Sequence, residues 1–274
     1  MRSMAQWVKQ KVRARYGWMV PYELRNKILL GHTAVGLRRV ENAEVRRLLP
    51  TLPGGQRPRA RVATIILTYK RPESLLVAIS SALAQTFTDQ VIIVVDDGGG
   101  LPPLPDDPRV HGVSLSRNIH VAGISRNIGI RLTDSDYIAF LDDDNTWRPH
   151  HLEVAMTRLA EADAPDLLYT AMQRITADGQ PRDVMSVPFD RRLATERAFL
   201  DTNPIVARRT PALRFSRLRR LPVVLPREDW ELVYRFSRRH RVEHLPVITV
   251  DYLVNADSYW TDWSQAGAPS ESSR

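Results

Sequence analysis

From residue 62 onward, short unbroken apolar runs alternate with stretches in which apolar positions recur every three or four residues. Residues 62–68 (VATIILT), 91–95 (VIIVV) and 137–141 (YIAFL) have no polar face, the pattern of strands covered on both sides. Residues 110–115 read as a further strand. Between these runs, Leu75, Leu76, Ile79 and Leu83 follow Pro72 at helical spacing, and proline suits a helix's first turn. Ile124, Ile128 and Leu132 mark a second helix; Leu152, Ala155, Met156 and Leu159 mark a third. The alternation predicts a doubly wound α/β sheet. The second half is less regular: a strand over 166–176, a turn at Asp178-Gly179 and a strand over 203–207. A helix over 228–238 follows, with Leu232, Val233 and Phe236 on one side, then a strand over 242–250 interrupted by Pro246.

Before residue 62 the pattern is different. Residues 1–49 read as helical, with Val8, Val12 and Tyr16 four apart among basic side chains, and 50–61 (PTLPGGQRPRAR) reads as a linker. The polar stretch from 264 (SQAGAPSESSR) is expected to be disordered. Three parts follow: a basic helical extension and linker over 1–60, a main domain over 61–263 and a tail over 264–274. The net charge of +8 is uneven. Residues 1–61 hold 14 Lys+Arg against 3 Asp+Glu; the rest hold 25 against 28. The main domain is therefore slightly acidic and no nucleic-acid partner is expected. A basic helix with aromatic residues suits either peripheral contact with an anionic membrane or packing on the main domain. No cysteine is present, which excludes disulfides and thiolate metal sites. There is neither an apolar run of spanning length nor a secretory h-region, so a cytoplasmic setting is expected, with peripheral contact at the inner membrane face.

Open α/β sheets bind ligands at the carboxyl ends of their strands. Three runs end in polar groups: Thr68-Tyr69-Lys70-Arg71, Asp96-Asp97-Gly98 and Asp142-Asp143-Asp144-Asn145. Three consecutive carboxylates repel one another unless a cation is near, and hard divalent cations prefer carboxylate and phosphate oxygens. A solvated acidic loop is the plain alternative. Asp96-Asp97-Gly98 is either an ordinary turn or an acceptor for a base or ribose, with Gly98, Gly99 and Gly100 admitting close approach.

The segments TYKRPESLLVAISSALAQTF (68–87), VIIVVDDGG (91–99), AGISRNIGI (122–130), YIAFLDDDNTWRPHHLE (137–153) and PREDWELVYRF (226–236) stand in the order found in family 2 glycosyltransferases, which this chain resembles over about 62–253. The resemblance implies a GT-A (Rossmann-like) fold, with a mixed, mainly parallel sheet flanked by helices. It implies an inverting transfer from a nucleoside-diphosphate sugar, a UDP-sugar first among them, to a hydroxyl of a glycan or lipid-linked acceptor, assisted by Mn²⁺ or Mg²⁺. Thr68, Tyr69 and Arg71 would line the nucleotide, and Asp97 or Asp96 would hold the uracil or ribose. Arg126 and Asn127 match the family's Arg-Asn, with Arg126 on the nucleotide or its phosphates. Asp142 and Asp143 would face the nucleotide, Asp144 would ligate the metal and Asp142 would assist it. Asp229 matches the catalytic base, with Glu228 beside it.

The sequence departs from the family pattern at three positions. Lys70 stands where Asn is common, and suits an added phosphate or base contact; Asn145 replaces an acid and Gly99 a serine. Glu228 and Asp229 also suit a plain helix N-terminus, and Arg126 a solvent-facing helix position. The seven histidines show no metal-binding spacing, and His150-His151 reads as surface. Trp230, Trp260 and Trp263 suit either sugar stacking or core packing. The arginine run over 208–220 suits an anionic acceptor or a solvated face. Two other functions stay open: a nucleotidyltransferase on a related sheet, and a non-catalytic membrane-surface adaptor.

Overall fold

The computed structural model describes residues 11, 17–220 and 227–254. The spacing of Val8, Val12 and Tyr16, the tail over 264–274, and Trp260 and Trp263 lie outside the described residues. A long helix, α1 (Met19–Leu48), leads through two short turns into β1 (Val62–Thr68), α2 (Pro72–Leu83), β2 (Gln90–Asp96) and β3 (Val110–Ser114). Then come α3 (Ala122–Arg131), β4 (Tyr137–Asp142), β5 (Thr146–Trp147), α4 (His151–Leu159), β6 (Leu167–Ile175) and β7 (Pro181–Met185). The last elements are β8 (Ile205–Arg208), α5 (Glu228–Phe236) and β9 (Val242–Leu253).

The strands form one mixed sheet in the order β3-β2-β1-β4-β8-β6-β9-β5, with β7 added to β6. The first four run parallel, β8 reverses direction, and β6 and β9 are parallel again. The apolar runs are unbroken because both faces of the sheet are covered. Ala63 and Ile65 point into a layer shared with α1 and α3, and Val62 and Ile66 into one shared with α2 and α4. Helix α3 approaches closely: a Cβ at Gly129 would come within 2.7 Å of the Ile65 side chain and 3.0 Å of Val95. Pro246 does not end β9. The strand continues to Leu253 and absorbs the irregularity as register shifts opposite Thr170, Ala171 and Met172.

The extension is built into the main domain. Met19, Leu37, Val45 and Leu48 are buried in the same core layer as α3. Residues 50–61 are ordered: Pro58 accepts hydrogen bonds from the Asp134 amide and the Thr133 hydroxyl, and Arg57 donates to the Arg131 carbonyl. Glu41 of α1 is fully buried and pairs with Arg131 at 2.9 Å and Arg217 at 2.7 Å. Burial disfavours its charge, yet the bonds from Arg217 and Arg131 win and hold its pKa below the ordinary value. His151 is also buried, against the surface reading of the sequence, with Nδ1 2.7 Å from the Thr249 hydroxyl; burial pushes its pKa down to about 3. Among the described residues no helix is long and apolar enough to cross a membrane.

Removing the Glu41 carboxylate strands two partly buried guanidiniums. Glu41→Ala should cost about 3 kcal/mol in urea unfolding at neutral pH; a loss under about 0.5 kcal/mol would mean that α1 does not depend on this contact.

Candidate active site

The carboxyl ends of β1, β2 and β4 and the start of α3 surround a cavity of about 550 Å³. Thr68, Tyr69, Arg71, Asp97, Arg126, Asp142, Asp143 and Asp144 all line it, with Asn118 and His120 from the loop before α3. Most of the expected site residues therefore meet, although they are scattered over 77 positions of the chain.

The acidic triplet is shared among neutralising partners. Asp143 accepts from the Thr68 hydroxyl at 2.7 Å and from Arg71 at 3.2 Å; Arg71 also reaches Asp144 at 2.8 Å. Asp142 pairs with Arg126 Nη2 at 2.5 Å, while the Asn203 carboxamide accepts from its backbone N–H at 2.7 Å and donates to its Oδ2 at 3.0 Å. Compensation is incomplete. Burial, then repulsion from Asp142 and Asp143, raises the Asp144 pKa to about 6 despite Arg71. Arg71 is itself half exposed, unlike Asp143, which it holds.

Arg126 spans two regions. Its Nη1 donates to Glu228 of α5 at 2.8 Å while Nη2 holds Asp142, and its guanidinium lies 5.4 Å from the Phe215 ring centre. It is 7% exposed, so the solvent-facing alternative does not hold. The adjacent Asn127 turns the other way, as successive helix positions must. Its carboxamide accepts from the Phe215 amide at 2.8 Å and donates to the Phe215 carbonyl at 3.0 Å, away from the cavity. The expected nucleotide contact of Asn127 is thus replaced by a structural one. Asp229 is half-buried, and burial, then the charge of Asp201, pushes its pKa well above the carboxylate range.

The two acids after β2 divide the roles that the sequence left open. Asp97 lines the cavity and accepts from the Ile119 amide at 3.0 Å and the Ser125 hydroxyl at 3.2 Å; burial raises its pKa. Asp96 is fully buried and does not line it. Its carboxylate ties down the amides of Gly99 at 2.9 Å and Gly100 at 2.8 Å and takes the Ser114 hydroxyl. Gly98 has φ +80, and a Cβ there would lie 2.4 Å from the Arg117 carbonyl carbon. Lys70 has φ +55, a left-handed conformation that asparagine tolerates better than lysine. The Lys70 ammonium sits 5.2 Å from the Tyr69 ring centre. Trp230 is buried, and its indole N–H donates to the Ala194 carbonyl at 2.6 Å, so it packs rather than stacks on a ligand. Sequence reasoning missed Asn203 and Asp201; Asn203 donates to Asp201 at 2.5 Å. Their only signal was a place at the edge of a predicted strand.

Residues 64–220 match the profile described as Glycosyl transferase family 2. The chain belongs to that family. As a family 2 member it is 32% identical over 149 residues to the succinoglycan biosynthesis protein ExoO of Rhizobium meliloti (strain 1021), which is 52% of this chain and 42% of that protein. It is 25% identical over 210 residues to the uncharacterized glycosyltransferase YwdF of Bacillus subtilis (strain 168), covering 71% and 75%. The chain thus spans about two-fifths of the first of these relatives. The crystal structure of S. aureus TarS 1-349 superimposes with a TM-score of 0.53 at 16% identity over 70% of this chain and 60% of that one. Its complex with UDP-GlcNAc gives 0.53 at 17% identity over 74% and 61%. The shared architecture, a mixed sheet flanked by helices, is the GT-A fold.

Two stability predictions arise from this family 2 site. Lys70→Asn relieves the left-handed backbone and should raise stability by about 0.5–1 kcal/mol in urea unfolding. Asp144 holds its proton more tightly when folded, so its contribution to stability falls as pH rises from about 4 through about 6. Asp144→Asn should therefore stabilise the metal-free protein by roughly 1–2 kcal/mol at pH 7.5 but hardly at pH 4; equal melting shifts at both pH values would contradict the raised pKa.

Proposed function

We propose that this family 2 member is an inverting glycosyltransferase moving a sugar from a nucleoside-diphosphate sugar, a UDP-sugar, to a hydroxyl of a glycan or lipid-linked acceptor. The bridge made by Arg126 carries the reading. One guanidinium joins Asp142, at the end of β4, to Glu228, at the start of α5, and so holds the helix of Asp229 beside the cavity. Asp229, a proton acceptor of raised pKa, does not line the cleft itself but sits on the helix that Arg126 ties to the cleft wall, a placement compatible with a single displacement. The family assignment favours sugar transfer over nucleotidyl transfer. The TarS complex with UDP-GlcNAc supports a UDP-sugar donor, and relatives named for succinoglycan and teichuronic acid biosynthesis support a glycan acceptor. A cytoplasmic setting, with peripheral membrane contact through the basic N-terminal segment, belongs to the same reading.

The acidic triplet fits a divalent cation. Among the described residues no three acids or imidazoles converge as a complete metal site. Mg²⁺ and Mn²⁺ suit that arrangement, because they take one or two carboxylates and complete their shell with water and phosphate oxygens. Asp144 is the direct ligand in this reading and Asp142 the supporting one. The excess negative charge that raises the Asp144 pKa is the charge a cation would relieve. When bound, the metal would neutralise the departing diphosphate.

The chain's own groups do the rest. Thr68 and Tyr69 flank the base, and Asp97 accepts hydrogen bonds from the uracil or ribose. Asp143, fixed by Thr68, holds the loop end of β4 in place. Arg71, half exposed at the cavity wall, would contact the phosphates, where a planar fork suits paired oxygens. Arg126 keeps Glu228 and Asp229 at the cavity rim. Asp229 takes the proton of the acceptor hydroxyl as oxygen attacks the anomeric carbon from the face opposite the leaving diphosphate.

Isothermal titration of UDP with and without Mn²⁺ tests the donor site: wild type should bind in a metal-dependent way and Asp144→Ala should not. Absence of UDP binding with metal would sink the uridine assignment. Because Asp144 must lose its proton to ligate, the Mn²⁺-dependent affinity should weaken as pH falls through about 6. Asp229→Asn should leave UDP affinity unchanged and lower turnover about 10²–10⁴-fold; undiminished turnover would remove Asp229 from the proton-transfer role.

A further inference from the structure

The three glutamates of α1 face the domain, whereas its basic residues are exposed. Glu23 pairs with Arg238, Glu41 with Arg131 and Arg217, and Glu44 with the Ser116 hydroxyl and with Arg47 of α1 itself at 2.5 Å. The exposed charges of the helix are all positive: Arg25, Lys27, Arg38, Arg39, Arg46 and Arg47. Apolar side chains stand among them. Leu24, Ile28, Leu29 and Val35 are 59%, 72%, 61% and 58% exposed, and they make up four of the seven exposed large apolar side chains among the described residues. Leu24, Ile28 and Val35 fall on one line, at steps of four and seven; Leu29 lies off it, about 100° round the helix from Ile28. Lys27 and Arg38 flank the line on one side, Arg25 and Arg39 on the other. No described residue covers it: a Cβ at Gly31 or Gly36 would meet nothing within 4 Å.

We infer that this outer face of α1 is a docking surface for an anionic lipid bilayer, lying in the headgroup plane with Leu24, Ile28 and Val35 inserted and the flanking cations on lipid phosphates. The inference deepens the membrane contact proposed above, on which it rests for its partner, by naming the face and the lipid chemistry. Three arguments select this occupant. An interfacial helix needs an apolar stripe bordered by Lys and Arg, and the stripe here is so bordered. A second copy of the chain would set like charge against like charge across an isologous contact, which disfavours self-association. The opposite face is held by buried core and ion pairs, so α1 can rest on a membrane without leaving the domain. A flat apposition of this kind would keep the cleft at a fixed height above a lipid-linked acceptor.

The test is flotation of the full chain with vesicles of phosphatidylcholine alone and of phosphatidylcholine with phosphatidylglycerol, beside Mn²⁺-dependent UDP binding in solution. Wild type should float with the phosphatidylglycerol vesicles and not with the neutral ones. The triple variant Leu24→Ser, Ile28→Ser, Val35→Ser should lose more than about tenfold in partition. The double variant Arg38→Gln, Arg39→Gln should lose roughly fivefold per charge. Both variants should keep the wild-type melting temperature and UDP affinity, since the altered side chains touch neither core nor cleft. Equal flotation on neutral vesicles, none on anionic ones, or undiminished flotation of the triple variant would overturn the proposal. So would a wild-type dimer in light scattering that the triple variant abolishes, which would assign the face to a second copy. Loss of vesicle binding with UDP binding intact would sink the docking face alone; absence of UDP binding with vesicle binding intact would sink the catalytic reading alone.

Discussion

Placing three carboxylates at the end of one buried strand creates a local charge that the fold must answer, and much of the structure around the cleft is the answer. Asp142 takes Arg126 and Asn203, Asp143 takes Thr68 and Arg71, and Asp144 is left with the exposed Arg71 and the Asn145 carboxamide at 3.0 Å. Compensation is therefore graded along the triplet. The first residue is locked into the framework, the second is locked to β1, and the third stays under-compensated where the cavity opens. A group left in that state is suited to a cation that arrives with a ligand, whereas full pairing within the protein would leave a cation little to gain.

The same charges tie the two halves of the chain together. Arg126 answers Asp142 with one nitrogen and Glu228 with another, and Asn203 links Asp142 to Asp201. Behind Arg126, Asn127 clamps the Phe215 backbone, and Glu41 of α1 gathers Arg131 and Arg217. Polar contacts thus join the long N-terminal helix to α3, and α3 in turn to the start of α5. One face of α1 thereby braces the helix that carries Arg126, and the other is exposed.

The strand runs, the helices between them and the polar clusters at strand ends were legible because each depends on local periodicity or on position within a few residues. The parallel order of β1, β2 and β4 was legible as an alternation of elements, and it predicts that their carboxyl ends share one edge. The late strands were harder to read. β5 has two residues, β7 buries only one of its five, and β9 runs through a proline by shifting register; each owes its existence to a neighbour already in place.

By itself, then, the sequence determined which residue types follow the buried strands, and that three consecutive acids stand at the end of one of them. It could not say which acid of Asp96 and Asp97 faces the cavity, because one step along a turn reverses a side chain, and only the Gly99 and Gly100 amides and Ser114 claimed Asp96 for the loop. Nor could it separate Arg126 from Asn127, neighbours in a helix that face different partners. A place at the edge of a predicted strand said nothing of the role of Asn203 and Asp201, since Asn203 matters through its contacts with Asp142, 61 positions away, and Asp201 through Asn203. Periodicity is a property of the chain; pairing of charges is a property of the fold, decided only when distant segments meet at a few ångströms.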